Sequence, residues 1–193
     1  AEVRWFEADP TFILHLTNAY EDGDEVVLDG FFEHNPGVWG GGSSNPKYPG
    51  FDALAIEAMD ARAHRWRFNL RTGQTTEAPT SERCSEFSMI NGQHAGRRHR
   101  YSYNALGVPG MFAFNGLLKH DLDAGTEEVL EAPPGVFLSE APMAPRDNST
   151  AEDDGYLLTF VSDVPNDRSE CWVLDASCPS DGPLARISLP ERI

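Results

Sequence analysis

Three segments of the chain resemble one another at a constant spacing: RWRFNLRTGQTTEAP, GLLKHDLDAGTEEVLEAP and ECWVLDASCPSDGPLARISLP. Each is an apolar strand pattern ending in a leucine beside a polar residue, then a turn bearing Gly or Pro, then a second strand pattern. Aligned on Leu70, Leu122 and Leu174, they lie 52 residues apart at both steps. A period near 50 with several short strands per unit is the signature of β-propeller blades. The repeated hairpins then supply each blade's outer strands, and the segments between supply the inner ones. The expected fold is all-β, with about three to four blades. Propellers carry roughly four to eight blades, and closing the ring removes exposed strand edges. The chain is therefore expected to be part of a larger ring. The competing reading is an open sandwich whose hairpins resemble one another by accident.

Two stretches depart from this pattern. Residues 35–51 (NPGVWGGGSSNPKYPGF) are rich in Gly, Pro and Ser, lack G-x-x-x-x-G-K-[ST], and read as a surface crossing or a lid. Residues 52–68 fit either a short helix or an apolar strand. The chain has 193 residues, 40% of them hydrophobic, which suffices for one sizeable core. No apolar run approaches 18 residues and no basic-then-apolar leader is visible, so neither a membrane-spanning helix nor a signal peptide is expected. The sequence opens at Ala1 on AEVRWFE, which reads like mid-domain sequence. With 31 acidic against 15 basic residues the net charge is -16, and a phosphate-tracking surface needs clustered Lys and Arg. Nucleic acid is excluded as a partner. Cys84, Cys171 and Cys178 are odd in number without CxxC spacing, which points to a reducing, cytoplasmic location rather than a disulfide framework or a zinc knuckle.

The run FILHLTNAYE holds a histidine among apolar residues. Read as a strand over 12–17, it puts Phe12, Leu14 and Leu16 on one face and Ile13, His15 and Thr17 on the other. The segment EDGD then closes a hairpin onto EVVLDG, with Asp22-Gly23 supplying positive φ. This hairpin is expected to be an inner one, aiming the tip of His15 at the ring's channel. A lone histidine on an apolar strand is ordinarily a core residue satisfied by a backbone carbonyl. Its company argues otherwise. Glu86 in CSEFSMIN shares an alternation face with Cys84, Ser88 and Ile90, and Glu140 in GVFLSEAPMAP directly follows an apolar strand. Carboxylates are seldom buried unpaired, and an imidazole N–H is a natural partner, as in carboxylate–histidine–metal triads.

These residues match a known pattern. VRWFEADPTFILHLTNAYEDGDEVVLD resembles the third iron-ligand segment of the carotenoid cleavage oxygenases, a family that includes lignostilbene dioxygenases and retinoid isomerohydrolases. The match is carried by His15 and then Asn18-Ala19-Tyr20-Glu21. SEFSMINGQHAGRRHRYSY is similar to the family's Glu–Phe/Leu–Pro–x–Ile–Asn segment and its following Arg-Tyr-x-Tyr stretch. SEAPMAPR, AEDDGYLLTFVSD and SECWVLDA resemble its Ser-Glu-Pro segment and later strands. The family pattern has Glu-Pro where this chain inserts Ala141 before Pro142.

The resemblance implies a seven-bladed propeller with Fe(II) on its axis held by four histidines. His15 is then the third ligand, and Glu86 and Glu140 are carboxylates behind the ligands. The other three ligands are expected outside residues 1–193, two before Ala1 and one after Ile193, so the chain corresponds to the C-terminal part of one propeller domain, incomplete at both ends. The implied activity is O2-dependent cleavage of a C=C bond in an apolar conjugated molecule: a carotenoid, an apocarotenoid or a stilbene. Aromatics such as Phe32, Trp39, Tyr48 and Phe51 are expected along its tunnel, and peripheral contact with a membrane is left open. Retinoid-type isomerisation or ester cleavage on the same iron is the alternative within the enzyme class, and a non-catalytic binding propeller is the alternative outside it. His34, His64, His94, His99 and His120 form no metal-ligand spacing. His64, His94 and His99 stand beside arginines, as at surface or loop-edge positions. No G-x-S-x-G elbow occurs.

Overall fold

The computed structural model describes residues 2–34 and 60–193. The loop expected at 35–51, the 52–59 part of the undecided segment, and Trp39, Tyr48 and Phe51 lie outside the described residues. Among the described residues twelve strands carry the fold: β1 (Leu16–Asp22), β2 (Glu25–Glu33), β3 (Ala61–Asn69), β4 (Thr75–Met89), β5 (Tyr101–Val108), β6 (Met111–Asp121), β7 (Thr126–Glu131), β8 (Val136–Leu138), β9 (Met143–Pro145), β10 (Gly155–Asp163), β11 (Arg168–Asp175) and β12 (Pro183–Ser188). Residues 61–68 are thus strand. No described helix is long and apolar enough to cross a membrane.

The strands form three successive antiparallel blades. One sheet runs β1-β2-β3-β4-β5-β6-β7, and a second runs β12-β11-β10-β8, with β9 also on β10. The 15-residue β4 belongs to two blades. Its first part, Thr75 to Cys84, is the outer partner of β3, and its last part, Ser85 to Met89, pairs with β5 as the innermost strand of the next blade. An outer strand running on into the next inner strand is how a propeller chain passes between blades. The sheets stay open at this length, as a partial propeller requires.

The repeat marks the outer hairpins, β3–β4, β6–β7 and β11–β12. A polar side chain at the first strand's end sets each turn. Asn69 Oδ1 accepts from the N–H groups of Arg71 and Thr72, Asp121 Oδ1 from those of Asp123 and Ala124, and Asp175 Oδ1 from that of Ser177. These are Asx turns, in which a short side chain replaces a backbone turn bond. In the β1–β2 turn only Gly23 has positive φ (62°), the pattern of a two-residue hairpin with glycine in the first central position.

The two junctions between blades differ in chemistry. The second and third blades meet in an apolar core of Tyr103, Leu117, Leu130, Val136, Leu138, Leu157, Val161, Trp172 and Leu174. The buried Tyr103 hydroxyl donates to the Ala176 carbonyl at 3.1 Å. The first and second blades meet through polar groups. Within the first blade Arg65 grips Asp29 with two bonds of 2.7 and 2.9 Å; across the junction Arg83 donates to Glu127, and His99, Ser102, Asn104 and His120 are buried nearby. His64 and His99 are therefore not surface residues, contrary to the reading from their arginine neighbours. Along β3 side chains alternate, so Arg65 points away from His64, while His99 lies in the connection just before β5.

Candidate functional site

The three residues singled out from the sequence occupy one structural position in three successive blades. His15 directly precedes β1, Glu86 lies in the inner half of β4, and Glu140 lies between β8 and β9, which share β10 as partner. The innermost strand is irregular at each place. The β1–β2 register shifts between Leu16 and Asn18, the β4–β5 register shifts between Glu86 and Met89, and the β8/β9 strand is interrupted over Ser139–Pro142. Irregularities of this kind re-aim side chains, and they cluster beside functional sites.

The strand expected over 12–17 begins only at Leu16. Its alternation survives all the same: Phe12, Leu14 and Leu16 are exposed, while His15 and Thr17 are partly buried. His15 Nδ1 lies 2.7 Å from Glu86 Oε2, and the imidazole remains 42% exposed where Glu86 is 7%. Its Nε2 makes no hydrogen bond among the described residues, and the ring borders an open space shared with Thr17, Phe87, Met89 and Glu140. Glu86 Oε2 also accepts from the Phe87 N–H at 2.7 Å. Burial raises the Glu86 pKa, and the Phe87 and His15 hydrogen bonds oppose that rise. The register shift between Glu86 and Met89 adds a residue, so the alternation that grouped Glu86 with Ser88 and Ile90 does not hold across it.

Glu140 is solvent-exposed on the border of the same space. The adjoining Ala141, the residue that separates it from Pro142, is fully buried in the apolar core. The structure thus brings His15 and Glu86 into contact and places Glu140 on the shared rim. No group of three or more His, Cys, Asp or Glu among the described residues converges as a metal site.

An apolar cleft open to solvent adjoins Glu86. Its lining includes Phe12, Leu14, Phe31, Met111, Phe112 and Phe114. Phe32, expected along such a tunnel, packs instead between His34 and His64 at ring separations of 5.1 and 5.0 Å. The lining aromatics come from β2, from β6 and from the start of the chain. The pair of Phe residues in MFAFNG has no distinguishing pattern, since cleft and core lining use the same side chains.

Sequence reasoning also missed the role of Asn18. Its side-chain amide donates to the carbonyls of Arg97 (2.8 Å) and His94 (3.3 Å), lies 3.1 Å from His99 Nδ1, and accepts from the Gly96 N–H at 3.0 Å. Glu152 does the matching task from the third blade, accepting from the N–H groups of Arg100 and Tyr101 at 2.7 and 2.9 Å. These two side chains hold the 91–101 connection that follows the inner half of β4.

Sequence comparison finds the same architecture and the same kind of relative. A carotenoid 9,10(9',10')-cleavage dioxygenase of Crocus sativus is 32% identical over 206 residues, an alignment covering 99% of this chain and 36% of that protein. An isoeugenol monooxygenase of Pseudomonas putida is 27% identical over 206 residues, covering 100% and 41%. Among solved structures, cobalt-substituted Synechocystis apocarotenoid oxygenase superposes with a TM-score of 0.86 at 24% identity, over 100% of this chain and 40% of that one, which establishes the fold. The chain therefore spans somewhat over a third of the length of the relatives it matches. Since the family model described as retinal pigment epithelial membrane protein (RPE65) matches residues 1–193, the chain belongs to that family, the carotenoid cleavage oxygenases.

Proposed function

We propose that the full-length protein is a non-haem Fe(II)-dependent dioxygenase that cleaves a C=C bond of a carotenoid, apocarotenoid or stilbene. Within it, this chain is the C-terminal part of a single propeller domain and supplies one iron-binding imidazole. The observation that carries the reading is the His15–Glu86 pair: one ring nitrogen is committed to a buried carboxylate while the other borders open space next to an apolar cleft. The relatives named above are oxygenases, which favours oxidative cleavage over isomerisation or ester cleavage. The outward face of the third blade, with Leu158, Phe160 and Ile187 exposed, is of the kind a neighbouring blade covers.

The donor chemistry fits iron. A neutral imidazole suits ferrous iron, and a hydrogen bond from its second nitrogen to a carboxylate is the usual support for a metal ligand. His15 would hold the metal through Nε2, because the Nδ1–H donated to Glu86 leaves the lone pair on the other nitrogen. Glu86 would fix the ring plane as well as the tautomer, and Glu140, exposed on the same rim, would serve a second ligand. When bound, Fe(II) supplies the ability to bind and activate O2. The phenylalanines of the cleft exclude water and present an apolar wall to a conjugated chain, orienting its double bond without polar contacts.

The test measures iron content and product formation in full-length protein, native and His15→Ala. Iron near one equivalent per native chain and its loss in the variant are expected, together with loss of cleavage of β-carotene, apocarotenals and resveratrol. Iron retained by His15→Ala overturns the ligand assignment. The 193-residue chain alone is expected to bind iron weakly and to turn over none of these compounds.

A further inference from the structure

Phe87 is the one residue of the β4 bulge whose backbone sits in the left-handed region, at φ 53°. A bulky, non-glycine residue there is a conformational outlier, and such strain persists only where surrounding structure enforces it. The enforcing contacts converge on His15. The Phe87 N–H reaches Glu86 Oε2 at 2.7 Å, the same oxygen that His15 Nδ1 approaches at 2.7 Å. The Phe87 ring lies against the imidazole with centroids 4.6 Å apart and an interplanar angle of 39°. On its other side the ring meets Phe114 edge-on at 5.2 Å, and Phe114 in turn packs against Phe112 at 5.8 Å. One residue thus fixes the acceptor oxygen through its backbone and the imidazole plane through its ring. It also links the pair to the wall of the apolar cleft.

We propose that Phe87 is a positioning residue for the metal-binding imidazole: its strained N–H anchors the Glu86 carboxylate, and its ring sets the rotation of His15 against Phe114. The proposal rests on His15 being a ligand of the resident metal. The ring borders the open space beside His15 and packs against Phe114 of the cleft wall, so a group filling the cleft next to Phe112 and Phe114 acts through Phe114 on the ring that holds the imidazole. Phe87 touches neither metal nor substrate in this role.

The test uses Co(II) as probe, titrated into metal-free full-length protein, and reads both affinity and the visible absorption bands that report ligand geometry. Phe87→Gly accepts the positive φ without strain but removes the ring. It is expected to weaken Co(II) binding about tenfold, the lower end of what removing a ligand's outer partner costs, and to shift the absorption bands. Phe87→Tyr is expected to restore both within about twofold. Phe114→Ala leaves the bulge backbone untouched, so it serves if Phe87→Gly does not fold; a smaller loss of about threefold with the same spectral shift is expected. Native affinity and an unshifted spectrum in Phe87→Gly, or in Phe114→Ala where only that variant folds, overturn the proposal. His15→Ala separates this from failure of the parent reading: if it leaves Co(II) binding intact, the ligand assignment itself is wrong, whatever Phe87 does.

Discussion

His15 and Glu86 stand 71 positions apart in sequence and 2.7 Å apart in space, joining the chain ahead of the first blade's inner strand to the bulge of the next. The bond sets which imidazole nitrogen is free, so the carboxylate matters beyond its charge. Glu86→Gln keeps the shape but offers an amide that can present N–H instead of oxygen to Nδ1. Its metal affinity is expected to fall about tenfold, and that of Glu86→Ala toward 100-fold. Equilibrium dialysis of Co(II) against the metal-free full-length variants measures both. Equal affinities in native protein and Glu86→Ala would remove Glu86 from the site.

Asn18 holds its neighbouring connection by several bonds from one amide. Asn18→Ala is expected to cost about 1–2 kcal/mol, the net energy of the hydrogen bonds lost, since Gly96 and Arg97 are exposed to water. Asn18→Asp tests the orientation. It keeps the acceptor for Gly96 but sets a carboxylate against two carbonyl oxygens, so it should be no more stable than the alanine variant. Urea midpoints decide, and an aspartate variant of native stability would contradict the donor assignment.

The blade repeat was legible because the polar residue ending each outer strand makes its turn bonds locally, within two or three positions of itself. Local chemistry of that kind leaves a periodic trace. His15, Glu86 and Glu140 were legible for a different reason, as polar side chains set in apolar runs, and the structure puts the first two in contact and the third on their rim. What escaped was whatever depends on irregular backbone or on long-range partners. Strand alternation misassigned the neighbours of Glu86 because the bulge adds a residue. The burial of His64 and His99 was hidden by arginines whose partners, Asp29 for Arg65 among them, lie on other strands. Asn18 looked like an ordinary strand residue because its bonds reach 76 to 81 positions ahead.

Gly116 marks a place where two strands of the second blade admit no side chain. A Cβ built there lies 2.5 Å from the Leu130 carbonyl oxygen, a backbone atom held in the β6–β7 ladder, whereas at Gly107 the first obstacle is the Cys84 Sγ at 2.7 Å. Gly116→Ala is expected to destabilise by about 1–3 kcal/mol through strand displacement. Gly107→Ala meets a side chain that can turn aside, and both Gly107 and Cys84 line the apolar cleft. Its expected effect is a raised KM for an apolar substrate with a smaller stability loss. Thermal unfolding and steady-state kinetics on the two variants separate the cases, and the reverse order of stability losses would contradict the close approach at Gly116.

The polar junction between the first two blades makes stability depend on pH. Burial lowers the pKa of His99 and of His120 below the ordinary 6.5, with Asp29 and Glu152 near the first and Glu127, Asp121 and Asp29 near the second pulling the other way. His64 is lowered for the same reason, opposed by Glu77. A histidine harder to protonate when folded than when unfolded contributes stability that is fully present above 6.5. That stability is lost as pH falls from 6.5 toward the lower folded value, because the unfolded chain binds the extra proton. Each such group contributes at most about 1.4 kcal/mol per pH unit in that window. Glu86, raised by burial, works in the opposite direction, so the histidine share is read as a difference. Native full-length protein should lose more stability between pH 7.5 and 5.5 than the His99→Gln/His120→Gln variant, whatever their stabilities at pH 7.5. Parallel pH profiles for the two would contradict the lowering of these imidazoles' pKa values by burial.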